Sequence, residues 1–566
     1  MEPTPQQTGP APQQVEATAT PILTPTEAKD TDKNYKWRVL FSVIFGTFMF
    51  ILDQTAVNVA VPTFQKVFGT GGHLASVDQV DGVLTAYILA LGIVTPLSGY
   101  LSERFGIKRM YLLSLTAFIV GSLACSLAPN LEFLIAFRAL QGFGGGMLGP
   151  LGISLLFGAF SEKERGLAFG VYGIPLVVAP ASGPVLGGYF VEYLDWRYIF
   201  LINIPIGIAG IILGYLWLRE NKRGTSAKLD IPGVLLSTIS FGTLLYAIQR
   251  GSSEGWGSQR IVTLLIIGIV GLLALVVVEL IVKNPLLDLR LFARRSFAVA
   301  NVASWVSSVA LFGAEFLLPI YLQTLRGQSP LQAGLLVLPL AIAAGIVTPL
   351  AGALYNRVGG RWLVVTGSLL LALNTWYLAH IAVDTPFLTL MAIIFVRGIA
   401  LGLVLQTTLT IGLSGLRPAQ LPRASSLLNA TRNVFQSFGV AVLGTIVTNQ
   451  LATYTTRAAN DLKNPSTALG QQLVHIAQGI AQGLQQQGTP APVAQKIAFG
   501  KAVGQLMAQQ FPLNFIASIN DAYLVTFWLA IIAAVLALAL PGHPRQEQAE
   551  ATQQERTAPS VPAAHA

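Results

Sequence analysis

From Lys36 to Pro541 the chain alternates long apolar runs with short polar segments. Each run has about twenty residues, enough to cross roughly 30 Å of hydrocarbon as a helix. The pattern predicts about fourteen spans. They fall at roughly 38–61, 80–101, 109–128, 131–157, 166–190, 197–218, 231–250, 261–282, 298–322, 332–355, 362–380, 387–413, 424–449 and 521–541. The expected fold class is an all-α polytopic membrane protein. Residues 1–35 and 542–566, rich in Pro, Thr, Gln or Ala, lack an apolar core and read as disordered tails; the first is no cleavable signal peptide.

A repeat runs through this map. TPLSGYLSERFGIKR, residues 95–109, matches TPLAGALYNRVGGR, residues 348–361, and FRALQGFGGG from Phe137 is echoed by FVRGIALG from Phe395. The expected domains are therefore an N-terminal six-helix bundle (36–220), two inserted helices (221–283) and a C-terminal six-helix bundle (284–541). Duplicated halves of this kind characterise transporters that rock about a midplane site. The C-terminal half holds one long extracytoplasmic segment, 451–520. Its stretches QQLVHIAQGIAQGLQQQ and APVAQKIAFGKAVGQLMAQQF carry apolar residues at helical spacing. Two readings stand for it: a helical hairpin capping the outer mouth, or a docking surface for a periplasmic partner.

Composition agrees with the pattern: 53% of residues are hydrophobic and 11% charged, against about 25% charged in soluble domains. The net charge of +9 does not imply a nucleic-acid partner, because the basic residues sit in alternate short loops. These hold Arg104, Lys108 and Arg109; Lys163 and Arg165; Arg219, Lys222, Arg223 and Lys228; Lys283, Arg290, Arg294 and Arg295; Arg357; and Arg417 and Arg423. By the positive-inside rule both termini are expected in the cytoplasm. The single cysteine, Cys125, excludes a disulfide framework or Cys-based metal site, and the five histidines are scattered. No metal or cofactor is expected. No nucleophile–base pair suggests an enzyme, and the absence of GxxxxGK[ST] argues against an ATP-driven pump.

Charges within the spans are functional candidates, since a carboxylate near the bilayer centre costs roughly 2.5–3.5 kcal/mol on insertion scales. Asp53 lies roughly 21 Å from the inner edge of the first span, and Arg138 roughly 10 Å from the outer edge of the fourth, so the two share a depth. Glu315 on the ninth span and Arg397 on the twelfth supply an acid and an arginine again, in corresponding helices. Asp53, Glu315 and Arg138 are the proton-coupling candidates. A nearby arginine lowers a carboxylate's proton affinity and desolvation raises it, so relative motion of Asp53 and Arg138 would swing proton binding. Gln141, Arg397 and Asn58 are candidates for the substrate cavity or a relay. Phe45, Phe48, Phe50, Phe312, Phe316 and Trp305 are available to line an apolar cavity, although periodicity alone places most of them against lipid or core.

The residues ILDQTAVNVAVP, GYLSERFGIKR, FRALQG, SGPVLGG, WRYIFLINIPIG, LDIPG, NPLLDLRLF and LSGLRPAQLPRASSLLNATRN together resemble the major facilitator superfamily. Within it they are most similar to the fourteen-helix drug:proton antiporters of the EmrB/QacA type, closest to the EmrB branch. The resemblance implies a major facilitator fold and a proton-coupled exporter of amphipathic or hydrophobic compounds in a bacterial cytoplasmic (inner) membrane. The alternative is an exporter of one physiological lipid or metabolite. EmrB-like proteins pair with a membrane-fusion adaptor and an outer-membrane channel, which the long outer segment favours here. SGPVLGG implies antiport, with Gly183, Gly187 and Gly188 thinning a helix bent at Pro184. Gly99, Glu103, Arg104, Gly106, Lys108 and Arg109 fall in the family's cytoplasmic-gate motif. The basic residues there are expected to pair with Glu103 or with acids on neighbouring loops. Glu103 stands where the family usually has Asp, and Asn356 in the repeat copy makes any gating ion pair asymmetric.

Overall fold

The computed structural model describes residues 34–542, apart from 70–73, 221–229, 283, 418–419 and 488; most of both expected tails lies outside the described residues. Every regular element among them is helical. The first half holds α1 (Tyr35–Val59), a short α2 (Val61–Val67), α3 (Val77–Phe105), α4 (Ile107–Ser126), α5 (Leu131–Ala159), α6 (Glu162–Tyr193), α7 (Tyr198–Leu201) and α8 (Asn203–Trp217). The inserted pair is α9 (Ile231–Glu254) and α10 (Gln259–Ile281). A 3-10 turn (Leu289–Ala293) leads into α11 (Arg295–Thr324), α12 (Pro330–Val358), α13 (Gly360–Leu378), α14 (Phe387–Leu413), α15 (Leu421–Lys463), α16 (Ala468–Gln486) and α17 (Ala491–Leu538). Fourteen of the expected spans are present, one of them as the pair α7 and α8. Pro205 has no N–H to offer the carbonyl of Leu201, which accounts for the interruption at Ile202.

The repeat is built into the local signals of α3 and α12. Each opens on a capping box, Ser76 with Gln79 and Ser329 with Gln332, in which side chain and backbone exchange hydrogen bonds of 2.9–3.3 Å. Each ends at a glycine with positive φ, Gly106 at 96° and Gly359 at 88°, a conformation that a Cβ would strain. The apolar core of the first half runs on into α14 and α15, and a second core fills the rest of the second half. The inserted α10 packs on α9, and its outer face leaves Ile266, Val270, Leu273, Val277 and Ile281 exposed, as a lipid-facing helix would.

The halves meet closely along α6 and α12, where small residues replace side-chain bulk. A Cβ on Gly352 would fall 2.0 Å from the Gly166 carbonyl, and one on Gly170 would fall 2.8 Å from Pro349. At this level the gap left between the halves is about 10 Å³, room for no more than a single water. α3 and α15 close the same side, which carries the basic loops.

The segment 451–520 is helical throughout most of its length: α15 and α17 continue beyond their apolar stretches, being roughly 64 and 72 Å long, and α16 packs between their ends. Leu462, Leu473, Ala502 and Leu506 form a core of their own there. Hydropathy marks where a helix leaves the membrane, whereas the amphipathic Ala/Gln/Leu pattern lets it continue in water.

Candidate functional site

Asp53 and Arg138 meet deep in the first half, with 0% and 1% of their surfaces exposed. The Arg138 Nη1 donates to Asp53 Oδ2 at 2.5 Å and to Gln141 Oε1 at 2.8 Å. The other carboxylate oxygen, Oδ1, accepts from Gln141 Nε2 and from Asn203 Nδ2, both at 2.8 Å. The same two amide groups donate to Ser122 Oγ at 3.1 and 3.0 Å, and the Ser122 hydroxyl donates to the Phe200 carbonyl at 2.8 Å. The Arg138 guanidinium stacks 4.1 Å from the Tyr87 ring centre, and its Nε donates to the Val83 carbonyl at 3.4 Å. The polar side chains of the shell come from α1, α4, α5 and α8, and α3 and α7 add the Tyr87 ring and the Val83 and Phe200 carbonyls. A carboxylate with this many donors can be buried in its ionised form, which offsets the cost of placing it in an apolar helix.

One turn along α1 from Asp53, Thr55 and Ala56 lie on the glycine face of α6. A Cβ on Gly183 would fall 2.0 Å from Thr55 Oγ1, and one on Gly187 would fall 2.7 Å from the Ala56 carbonyl. The opposite face of α6 touches the second half: Gly188 lies beside Leu331, and Pro184 beside Gly334 on α12. The thinned helix is therefore present, and α6 runs as one continuous helix through Pro175, Pro180 and Pro184.

Gln141 is fully buried and hydrogen-bonded to both Asp53 and Arg138. Asn58 is exposed, one and a half turns beyond Asp53, outside the network. Arg397 is buried in the second half but does not pair with Glu315; its Nη2 donates to the carbonyls of Leu311 at 2.8 Å and Ala310 at 3.4 Å. The backbone of α11 takes the place that Asp53 holds in α1, and Glu315 sits one turn further on, half-buried. The two halves therefore share helices and arginine but not the register of the acid.

At the basic side, Glu103 Oε2 accepts from Arg423 Nη2 at 2.6 Å and Nε at 3.1 Å, joining α3 to α15 across the halves. Beside it a Cβ on Gly99 would fall 2.7 Å from the Pro422 carbonyl. Arg104 donates to the Tyr100 hydroxyl at 3.3 Å, and its guanidinium lies 5.6 Å from the Phe105 ring centre. Lys108 and Arg109 stay within their own half: their backbone N–H groups donate to the Glu220 carboxylate at 3.2 and 3.3 Å, and Lys108 Nζ donates to the Tyr215 carbonyl. Gly106 makes room for that carboxylate, which caps α4. The side chain of Asn356 lies outside what is described.

The sequence reading missed Asn203, Ser122, and Arg423 as a gate partner. Asn203 carried a signal, being an amide inside the apolar run LINIPIG.

The family model described as Major Facilitator Superfamily matches residues 43–440. The chain is 33% identical over 457 residues to the multidrug export protein EmrB of Escherichia coli (strain K12), covering 80% of this chain and 87% of that protein. It is 33% identical over 411 residues to a multidrug resistance protein B homolog of Mycobacterium tuberculosis (strain ATCC 25618 / H37Rv), covering 72% and 75%. The crystal structure of a double-tryptophan mutant of XylE shares the fold, with a TM-score of 0.58 at 14% identity over 91% of this chain and 99% of that one. The chain belongs to the Major Facilitator Superfamily, as an EmrB-like transporter.

Proposed function

We propose that this protein is a proton-coupled exporter of amphipathic or hydrophobic compounds, working by alternating access in a bacterial cytoplasmic (inner) membrane with both termini inside. The observation that carries this reading is the sealed Asp53 network, one helical turn from the glycine face through which α6 contacts the other half. In this orientation the closed side is cytoplasmic, and Asp53 takes up a proton from outside. Protonation removes the charge that holds Arg138. Gln141 and Asn203 suit either state, because an amide that donates to a carboxylate can turn its oxygen to accept from a carboxylic acid; the Asn203 Oδ1 has no partner as it stands. The altered packing of α1 on α6 then favours rocking of the halves, and the Glu103–Arg423 contact opens. Cargo binding from the inside favours release of the proton inward. Glu315 serves as a second protonation site, free of an ion pair with Arg397.

In proteoliposomes with an acid interior and outward-facing cytoplasmic sides, wild type accumulates a fluorescent amphipathic compound. Asp53→Asn exchanges it down its gradient but accumulates none, and Glu315→Gln accumulates it with fewer protons moved per molecule. Accumulation by Asp53→Asn at the wild-type proton dependence contradicts the reading.

The projecting α15–α17 bundle, with its independent core, supports a docking role for a membrane-fusion adaptor and, through it, an outer-membrane channel. Deletion of 465–510 is expected to spare transport in vesicles and abolish efflux from whole cells. Loss in both assays favours a cap over the outer mouth.

A further inference from the structure

We propose that Arg432 is an anion-binding residue on the transport path, so that the cargo includes amphipathic acids whose carboxylate it holds. The inference rests on the exporter reading above and names a cargo class for it. Arg432 lies roughly 16 Å along α15 from its start at Leu421, near mid-depth of a core about 30 Å thick. Its charge acts on Tyr172 of α6, across the boundary between the halves. The Tyr172 hydroxyl in turn accepts from Thr47 on α1 at 3.3 Å.

Arg138 is matched by Asp53 and Arg423 by Glu103. Among the described residues Arg397 and Arg432 have no ion pair, but Arg397 is sealed within its half against two carbonyls, whereas Arg432 lies beside the first half. Arg432 Nη2 donates to Asn429 Oδ1 at 3.2 Å, while Nε is buried without a partner, and no ion pair forms among the described residues. A second orphan donor stands close by. Phe435, one turn further along α15, stacks on Trp305 of α11 at 4.8 Å and 9°, and the Trp305 Nε1 has no acceptor. Gly149 on α5 brings the first half up to this level, its Cβ position lying in contact range of Asn429 Oδ1 at 3.9 Å and of the Phe50 ring at 4.0 Å.

The site therefore offers a guanidinium and an indole N–H with few acceptors, beside aromatic faces. Donors without acceptors select a group that only accepts, and a carboxylate does so with charge. The aromatic rings suit the apolar body of the same molecule. An unpaired buried charge is destabilising, so a passenger anion relieves it while bound.

The test uses full-length protein in nanodiscs and three probes sharing one ring system: naphthoate, naphthamide and naphthylmethylammonium. Wild type is expected to bind naphthoate about tenfold or more tightly than naphthamide, the range of a charge-assisted hydrogen bond. Arg432→Gln should erase that preference while naphthamide binding stays unchanged, which also shows that the variant is folded. Arg432→Lys should restore part of it. Trp305→Phe, which keeps the stack and removes the N–H, should weaken naphthoate selectively. Equal binding of the three probes, preference for the cation, no naphthoate binding, or a naphthoate preference that survives Arg432→Gln overturns the proposal. Asp53→Asn separates it from the exporter reading: that variant should keep the naphthoate preference and lose uphill transport. If Asp53→Asn still drives accumulation, proton coupling at Asp53 fails while the anion site stands.

Discussion

Arg138 on α5 and Asp53 on α1 form an ion pair closed off from solvent, and each is further held by a neutral amide from the same shell. The pair is a balance of two desolvated charges, so its two members differ in what their loss leaves behind. Removing one partner of a buried pair leaves an uncompensated charge and costs about 3–5 kcal/mol. Asp53→Leu should therefore lower the thermal unfolding temperature in detergent sharply. The doubly neutral Asp53→Asn, Arg138→Gln variant should recover most of that loss.

Asn203 donates to Asp53 Oδ1 at 2.8 Å and so helps to hold the buried carboxylate. Asn203→Ala leaves that oxygen one donor short, and with one charge-assisted hydrogen bond gone uphill accumulation should fall about tenfold. Accumulation at the wild-type level contradicts the assignment of Asn203 to the coupling shell.

The Glu103–Arg423 contact is partly open to solvent, so its worth is discounted to about 1 kcal/mol. Arg423→Gln should raise the population open on the basic side about fivefold, read from labelling of a cysteine placed in the closed gap between α6 and α12. The exchanged pair, Glu103→Arg with Arg423→Glu, should return labelling toward wild type. Lys108→Gln should leave it unchanged, because Lys108 is bound to its own half.

The glycine face of α6 allows a graded test. Gly187→Ala places a methyl 2.7 Å from the Ala56 carbonyl, where backbone has to move, and should reduce transport more than tenfold. Gly188→Ala meets Leu331 at 3.2 Å and should cost less. Gly158→Ala meets nothing within 4 Å and should be neutral. Equal effects at the three positions would remove the case for close α1–α6 contact in the cycle.

The spans, the repeat and the Asp53–Arg138 pair were legible because hydropathy and a count of residues set depth within a membrane. The remainder of the shell was not. Ser122 is neutral and small, and the amide of Asn203, although visible in LINIPIG, has no charge to set it apart from a helix-packing group. Depth also has the resolution of about one helical turn, which is the interval separating Glu315 from the carbonyls that Arg397 uses. The Glu103–Arg423 contact joins residues 320 positions apart, beyond any local pattern. Arg432 was visible as a charge within a span, yet its lack of a partner is a property of the packed halves alone.

The most direct measurement is proton release on cargo binding by purified protein in weakly buffered solution, followed with a pH dye across pH 5 to 8. Wild type should release a proton when an amphipathic compound is added, and Asp53→Asn should bind the compound with no release. Release of the same amount from Asp53→Asn would contradict the account.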